Sequence, residues 1–293
     1  MADFLVLQVQ PDEVTSDEAL GSKTKFWFRR DAERWLFKEA RGATGEDWAE
    51  KVASEVAHLM GINAATVELA DYEGRRGCAS LSFAYREKGD VLIHGNEILA
   101  GMVLGYDRGK KFRQSDHTLQ NITAAIGKLF PQAELNRVVL TTLAGYLVFD
   151  ALIGNTDRHH ENWAILLRAP ASILEVAPTF DHASSLGREL QDPRRLILLQ
   201  NNRVEDYVRR GRGAIYLRTN DAHGANPLGL VEYGTRQFEG YFSPILRQLQ
   251  RLSPHDFRSI LDRVPEARMS ETSKAFALAY MTYTYETLCK LIK

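Results

Sequence analysis

The sequence predicts an α+β protein of two lobes, a small mixed α/β lobe over residues 1–90 and a larger, mostly helical lobe over residues 91–293. Before residue 90, short stretches alternate apolar and polar residues at the period of half-buried strands. After it, apolar residues recur at the helical spacing of three to four positions. With 293 residues, of which 44% are hydrophobic, the chain can build two lobes with a substantial core. We expect the boundary between residues 85 and 95.

The small lobe is predicted to contain, in chain order, two strands, one helix and two further strands. KFWFRR (25–30) and RWLFKEA (34–40) flank the polar turn that starts at Asp31, which predicts a β-hairpin. A helix is expected over 44–62. Two further strands are expected within 63–87, separated by the glycine-containing turn EGRRG.

The helix over 44–62 carries start and stop signals. Thr44 is expected to cap its amino terminus together with Asp47, and Gly61 suits its end. Its apolar residues recur at helical spacing and define one face, formed by Trp48, Val52, Val56 and Leu59.

The larger lobe is predicted from apolar helices and one short hairpin. Residues 115–130 and 133–154 both have helical spacing, and Gly154 ends the second helix. WAILLR (163–168) and SILEVAPTF (172–180) form the hairpin. Helices resume after it, and the last two cover 253–264 and 270–293.

Composition limits the classes of function and the compartment. The formal net charge of −1 gives no global field for nucleic acid or anionic membranes, so we expect no direct nucleic-acid binding. Cys78 and Cys289 are far apart and form no metal-type pair, and the amino terminus shows no signal-peptide pattern. These features predict an intracellular, reducing setting, the cytoplasm. No apolar run is expected to approach the roughly 20 residues of a membrane span.

The stretch GNTDRHHENW (154–163) places many polar and ionisable side chains directly after the apolar helix. Because a hairpin brings its open ends together, Asn162 is expected nearly opposite Thr179, with Asp181 close by. Opposed residues on antiparallel strands lie about 5 Å apart. The Asn162 amide oxygen and the Asp181 carboxylate can therefore share one divalent ion, and oxygen ligands of this kind suit Mg²⁺.

Asp157 lies five residues before Asn162, where its carboxylate could face the same point without binding metal. Phosphoryl transfer needs such parts, namely a carboxylate that orients the attacking hydroxyl, an Asn and an Asp on Mg²⁺, and a lysine on the phosphates. The spacing D-x-x-x-x-N, followed by a hairpin and another Asp, is the order found in protein kinase catalytic loops.

Residue by residue, LIGNTDRHHENWAIL and the following APTFDHASSLG resemble the HipA family of bacterial serine/threonine toxin kinases. In that family a D-x-H-x-x-N loop is followed by a P-x-(F/Y)-D-x-x-S segment. The resemblance implies Asp157 as catalytic base, Asn162 and Asp181 as metal ligands, and His159 as a residue that shapes the loop. It also implies a two-lobed protein kinase-like fold with ATP and Mg²⁺ in the cleft. The implied partners are a protein substrate with a Ser/Thr acceptor and an antitoxin or other regulatory protein.

The string G-x-x-D-R-H-x-x-N is also similar to phosphatidylinositol 3/4-kinases, so a lipid acceptor is the alternative. Two departures from eukaryotic protein kinases bear on regulation. Asn155 stands where those kinases have the His of their catalytic loop, and His182 and Ala183 follow Asp181 where they have Phe-Gly. An activation mechanism of the eukaryotic type is therefore not expected.

GSKTKFWFRR (21–30) matches neither standard glycine-rich phosphate pattern. It does resemble the G-x-x-x-K loop of HipA-like kinases. The resemblance places Gly21, Ser22 and Lys25 over the phosphates of ATP. It also implies that the protein can phosphorylate itself in this loop, at Ser22 or Thr24.

Lys38 follows alternating residues of the second strand, where the phosphate-binding lysine of a kinase belongs. Such a lysine needs a carboxylate partner from the helix. Glu55 projects close to the apolar face of that helix and is the preferred partner. An ungapped match to HipA-like sequences favours Glu50 instead.

Other interpretations stay open. The loop histidines with Asp181 could bind a transition metal, but no usual ligand spacing is present, and His160 and Glu161 are expected to face solvent. The arginine-rich stretch 203–218 could dock an acidic partner. Finally, a kinase-like module that binds nucleotide without catalysis would have no need of Asp157.

Overall fold

The computed structural model describes residues 2–17 and 24–292, and its fold is α+β as predicted. Nine β-strands lie in these residues: β1 (Val6–Val9), β2 (Val14–Asp17), β3 (Lys25–Arg30), β4 (Glu33–Glu39), β5 (Val67–Tyr72), β6 (Arg75–Leu81), β7 (Val91–His94), β8 (Ala164–Arg168) and β9 (Ile173–Val176). The described residues also form ten α-helices: α1 (Glu46–Leu59), α2 (Gly95–Met102), α3 (Leu119–Leu129), α4 (Ala133–Ile153), α5 (Asp192–Gln200), α6 (Val204–Arg210), α7 (Pro227–Gln237), α8 (Glu239–Leu249), α9 (Pro254–Leu261) and α10 (Glu271–Cys289).

The first six strands form one sheet in the order β1-β5-β6-β4-β3-β2. β1 pairs in parallel with β5, and the other pairs are antiparallel. The predicted hairpin is confirmed, because β3 and β4 pair with Lys25 opposite Lys38.

The pleat of β4 decides where Lys38 lies. Phe37 is fully buried in an aromatic cluster on one face of the sheet. Successive residues of a strand point to opposite faces, so Lys38 lies on the other face, beside its cross-strand partner Cys78. Leu69 of β5 pairs with Cys78 and packs in the same core as α1. Lys38 therefore lies on the side of the sheet that α1 covers.

The second predicted hairpin is also confirmed, with Ile165 of β8 opposite Val176 of β9. Continuing this register places Asn162 opposite Thr179, as expected. β7 adds a third strand on the other edge of β8, which the sequence analysis did not predict. The division into lobes at residue 90 stays a proposal, and β7 at the start of the second lobe pairs with that lobe's own hairpin.

α4 is the central helix of the larger lobe and packs against α7, α8 and α10. By its length and its apolar composition alone this helix could cross a membrane, which corrects the expectation that no apolar stretch approaches that size. However, 72% of the apolar window is buried inside the protein, as is typical of a core helix.

The start of α1 also differs from the expectation. Gly45 is the N-cap, without a side-chain hydrogen bond, and Thr44 lies one residue before it. The Asp47 carboxylate instead pairs with Arg76 at 2.6 Å and with Arg268 at 3.2 Å. The predicted Thr44–Asp47 cap is therefore wrong, because two arginines compete for the same carboxylate.

Glycine is required at the end of α4, and a substitution tests this. Gly154 has φ +71°, and an added Cβ would collide with the ring of Tyr280. We expect Gly154→Ala to lower the free energy of unfolding by about 3 kcal/mol, because a steric clash adds to backbone strain. Gly74→Ala is the matched control. Gly74 has φ +75° but no atom within 4 Å of an added Cβ, so it should lose only about 1 kcal/mol. Urea unfolding measures both losses, and equal losses would contradict the steric explanation.

Candidate active site

The loop 155–163 follows α4 and is tied back to it by a buried ion pair. Asp150, in the last turn of α4, accepts hydrogen bonds from Arg158 Nε and Nη2, each at 2.7 Å. Asn155 Nδ2 donates a third bond to this carboxylate at 2.8 Å. Asp150 and Arg158 are both almost fully buried. A bidentate pair of this kind fixes the guanidinium, and with it the loop, relative to the helix.

Arg158 also connects the loop to the open end of the β8–β9 hairpin. Its Nη1 donates to the carbonyl groups of Asn162 at 2.5 Å and Phe180 at 3.4 Å, and its Nη2 donates to Thr179 Oγ1 at 2.9 Å. Together with the two bonds to α4, these contacts occupy all five guanidinium N–H groups. One side chain thus holds the backbone of Asn162 near that of the residue before Asp181.

Asp157 and Asn162 are in direct contact. Asn162 Nδ2 donates to the backbone carbonyl of Asp157 at 2.7 Å, so the amide oxygen of Asn162 faces away from that carbonyl. Burial and then the negative charge of Asp181 raise the pKa of Asp157 to about 6. Asp157 is therefore a carboxyl group that is ionised at neutral pH but binds a proton readily.

Lys38 and Asp181 form the second contact that the sequence predicts. Lys38 Nζ lies 3.2 Å from Asp181 Oδ1, and the two side chains are 18% and 39% exposed, so the pair faces the open cleft. The positive charge of Lys38 holds the pKa of Asp181 well below its usual range. Burial alone would lower the pKa of Lys38, but the negative charges of Asp181 and Glu50 raise it. Both groups are charged at neutral pH.

Glu50, and not Glu55, is the glutamate of α1 that belongs to this cluster. Glu50 is 2% exposed, and its Oε1 accepts a hydrogen bond from the backbone N–H of His182 at 2.9 Å. Its negative charge helps to raise the pKa of Lys38. Glu55 instead pairs with Lys51 at 2.7 Å. The preference for Glu55 is wrong, because α1 turns Glu50 toward Lys38 and Glu55 toward other cations.

The part of the site that would lie over the phosphates is described only in part. Gly21 and Ser22 lie outside the described residues. Lys25 begins β3 opposite Lys38, and its positive charge helps to lower the pKa of Asp181. Its charge therefore acts in the same cleft.

The histidines of the loop lie in a buried aromatic cluster. His160 Nδ1 and the Tyr106 hydroxyl are 2.8 Å apart, and Trp163 Nε1 donates to His117 Nε2 at 3.1 Å. Burial lowers the pKa of His117 to about 3 and that of His159 to about 4, so both are neutral at pH 7. The expected solvent-facing position of His160 is wrong, because its side chain packs against Tyr106 and His117.

The donor set of the cleft suits a hard divalent cation. Asn162 offers an amide oxygen and Asp181 an ionised carboxylate, and Mg²⁺ prefers oxygen ligands completed by water and phosphate oxygens. Glu50 Oε2 is buried without a hydrogen-bond partner among the described residues, so a fixed negative charge stands beside the lysine that would bind phosphate. Within residues 2–17 and 24–292, no three His, Cys, Asp or Glu side chains form a metal-binding group by themselves.

Sequence reasoning missed Asp150 and Arg158. Their signal is a carboxylate in the last turn of an otherwise apolar helix, followed eight residues later by an arginine. A charge buried at such a position requires a partner, so the pair could have been inferred.

Comparisons with known proteins show the family and the fold of the chain. A family model of the HipA-like C-terminal domain matches residues 18–225, which is more than half of the chain. The crystal structure of the proinflammatory kinase CtkA from Helicobacter pylori is similar with a TM-score of 0.81 at 20% identity, over 98% of each chain. HipA of Shewanella oneidensis MR-1, solved with HipB and operator DNA, is similar with a TM-score of 0.57 at 14% identity, over 96% of this chain and 66% of that one. No curated protein matches the sequence. The likenesses confirm the predicted kinase-like fold.

The Asp150–Arg158 pair yields a stability prediction. We expect Asp150→Ala to lower the free energy of unfolding by about 4 kcal/mol, because it leaves the buried Arg158 charge without its partner. Glu205→Ala is the control, since Glu205 pairs with Arg209 at the same distance of 2.7 Å but on the surface. Its loss should stay below about 1 kcal/mol. Urea denaturation compares the two, and a similar small loss for both would contradict the role given to Asp150.

Proposed function

Since the chain belongs to the HipA-like C-terminal domain family, we propose that it is a kinase that transfers the γ-phosphoryl group of Mg²⁺-ATP to a serine or threonine hydroxyl of a protein. The family and the kinase-like fold support phosphoryl transfer as the reaction class. One observation carries the finer proposal. Lys38 contacts Asp181, while Arg158 holds Asn162 close to the strand end that leads into Asp181.

Asp157 is the proposed base. Its carboxylate would orient the acceptor hydroxyl and take up its proton as the oxygen attacks the γ-phosphorus. The bond from the γ-phosphorus to the bridging oxygen breaks, and ADP leaves. The raised pKa of about 6 supports this role, because a base works best when its proton affinity is close to the working pH. The contact between Asn162 and the Asp157 backbone would keep the base in place.

Lys38 is proposed to bind the phosphates of ATP together with Lys25, and the resemblance to HipA-like kinases adds the backbone of Gly21 and Ser22. The negative charge of Glu50 would keep Lys38 protonated and in position. Asn162 and Asp181 would hold Mg²⁺, which when bound supplies positive charge that offsets the negative charge developing on the phosphoryl oxygens.

The proposed substrate class comes with two subsidiary proposals. The first is that the protein phosphorylates itself, with Ser22 or Thr24 as the acceptor. The Thr24 hydroxyl accepts a hydrogen bond from Arg75 at 3.2 Å. An antitoxin or other regulatory protein is the second, by analogy with HipA, which was solved with HipB and DNA.

Replacement of the base tests the proposed function. We expect Asp157→Asn to lower phosphoryl transfer by about 10²–10⁴-fold and to keep ATP binding, because only proton transfer and acceptor orientation are lost. Transfer is measured with labelled ATP, host lysate and, in a separate tube, phosphoinositide vesicles. The control is Asp12→Asn, an exposed position far from the cleft in sequence.

Two results would contradict the proposal. Label in the vesicles alone would make the protein a lipid kinase. No label in any tube, or equal label with Asp157→Asn, would leave a nucleotide-binding module without this chemistry.

The raised pKa of Asp157 also predicts a stability change that depends on pH. The folded state holds this proton more tightly than the unfolded chain, whose Asp pKa is about 3.9. The unmodified protein therefore loses stability as the pH rises from about 4 to above 6, whereas Asp157→Asn does not. We expect the variant to be more stable by about 2 kcal/mol at pH 7.5 and equally stable near pH 4. Urea unfolding at the two pH values checks this, and a variant that is less stable at pH 7.5 would contradict it.

A further inference from the structure

The basic segment 107–113 (DRGKKFR) is anchored on the loop that carries Asp157. The residue before it, Tyr106, contacts His160 at 2.8 Å, and Lys111 Nζ lies 3.2 Å from Glu161 Oε2. All seven residues of the segment are exposed. The segment therefore presents its side chains to solvent directly beside the loop.

A second basic segment, 209–212 (RRGR), reaches the other end of the same loop. A Cβ added at Gly211 would lie 3.6 Å from Cγ2 of Thr156, the residue before Asp157. The three arginines of this segment are exposed. The two segments come from distant parts of the sequence, and they lie beside the loop near Thr156 and near Glu161, on either side of Asp157 along the chain.

The charge of these segments is strongly one-sided and mostly uncompensated. They contain one acidic residue, Asp107, and seven basic ones, namely Arg108, Lys110, Lys111, Arg113, Arg209, Arg210 and Arg212. Lys111 pairs with Glu161 and Arg209 with Glu205. In the described part of the chain, no carboxylate lies within ion-pair distance of the other five. The positive charge of Lys111 also acts on Asp157, where it opposes the rise in pKa.

We infer that the acceptor hydroxyl is presented by an acidic protein segment, which the basic segments 107–113 and 209–212 bind on either side of the loop 155–163. This inference rests on the proposed function and adds the class of substrate. Exposed cations beside a site attract acidic groups, speed their encounter and set their register. The chain as a whole has a net charge of −1, so the attraction is confined to this surface.

A protein segment fits these observations better than a membrane. Binding to a bilayer surface needs buried apolar area in addition to basic residues. In the two segments Phe112 is the one large apolar side chain. The two segments also lie beside the loop at separate points, near Glu161 and near Thr156, which suits an extended chain that crosses the site.

Peptide acceptors of different charge test the inference. Three peptides carry one central serine flanked by Glu, Gln or Lys, and KM and kcat are measured for each. We expect a KM for the Glu peptide roughly tenfold lower than for the Gln peptide, since several surface ion pairs act together. The Lys peptide should be the poorest acceptor. The preference should shrink in about 0.5 M salt, which screens exposed charges.

Charge reversal in the two basic segments gives a second test. Its readout is the preference among the peptides, which a purely structural effect would not reverse. The variant K110E/R210E should prefer the Lys peptide to the Glu peptide. The matched control is R251E/R258E, which makes the same change in net charge at exposed residues outside both segments and should keep the preference for Glu. A K110E/R210E variant that still prefers the Glu peptide overturns the inference.

Binding without turnover separates this inference from the proposed function. A labelled Glu peptide with Ala in place of Ser is titrated by anisotropy into the Asp157→Asn protein, beside its Gln and Lys counterparts. Selective binding of the Glu peptide supports the inference even if no phosphate is transferred, in which case the proposed function alone fails. Transfer to all three serine peptides with equal KM supports the function and overturns the inference. Binding only to phosphoinositide vesicles overturns it as well.

Discussion

The buried ion pair between Asp150 and Arg158 is the constraint on which the site depends. Removing two charges from water is costly, and the cost is offset only when every hydrogen-bonding group finds a partner. Arg158 meets this condition, because its five N–H groups all donate to α4, to the loop or to the hairpin end. The geometry of three separate chain segments therefore follows from one guanidinium. Asn162 and the strand end before Asp181 are held in place before any ligand binds, which lowers the cost of ordering the site.

A second set of charges positions α1 against the larger lobe. Glu46 pairs with Arg188 at 2.6 Å, and Glu50 accepts a hydrogen bond from the backbone of His182. At the same end of the helix, Asp47 pairs with Arg268. These contacts link α1 to residues that follow the hairpin and to the chain before α10. The helix that carries Glu50 is thus fixed by polar contacts to segments that are distant in sequence.

The sequence could predict the parts of the fold and site that follow from local periodicity. The register of the β8–β9 hairpin follows from its turn, so the opposition of Asn162 and Thr179 could be worked out from spacing alone. The alternation of β4 likewise placed Lys38 on the correct strand. β7 is short and pairs with a strand some 70 positions later in the chain, so no local sequence pattern predicts it.

The choice between Glu50 and Glu55 failed for a physical reason. An apolar stripe marks the buried face of a helix only when the other faces are exposed. In α1 the polar residues are buried as well, among them Asp47, Glu50 and Lys51. Their partners lie largely on other elements: Asp47 pairs with Arg268, Glu50 accepts a hydrogen bond from the backbone of His182, and Lys51 pairs with Glu68 as well as with Glu55. Tertiary contacts then decide which face of α1 points at Lys38. The periodicity of the sequence gives no information about those contacts.

The pKa values of the two aspartates of the cleft shift in opposite directions because their surroundings differ. Asp157 and Asp181 repel each other; Asp157 is half-buried, whereas the Asp181 side chain is 39% exposed toward the cleft. Lys38 lies against Asp181 alone, so the pKa of Asp181 falls while that of Asp157 rises to about 6. A carboxylate that stays ionised suits a cation, whereas one that binds a proton readily suits a base. Burial of Asp157 and the ammonium group of Lys38 beside Asp181 therefore account for the different chemistry proposed for two identical side chains.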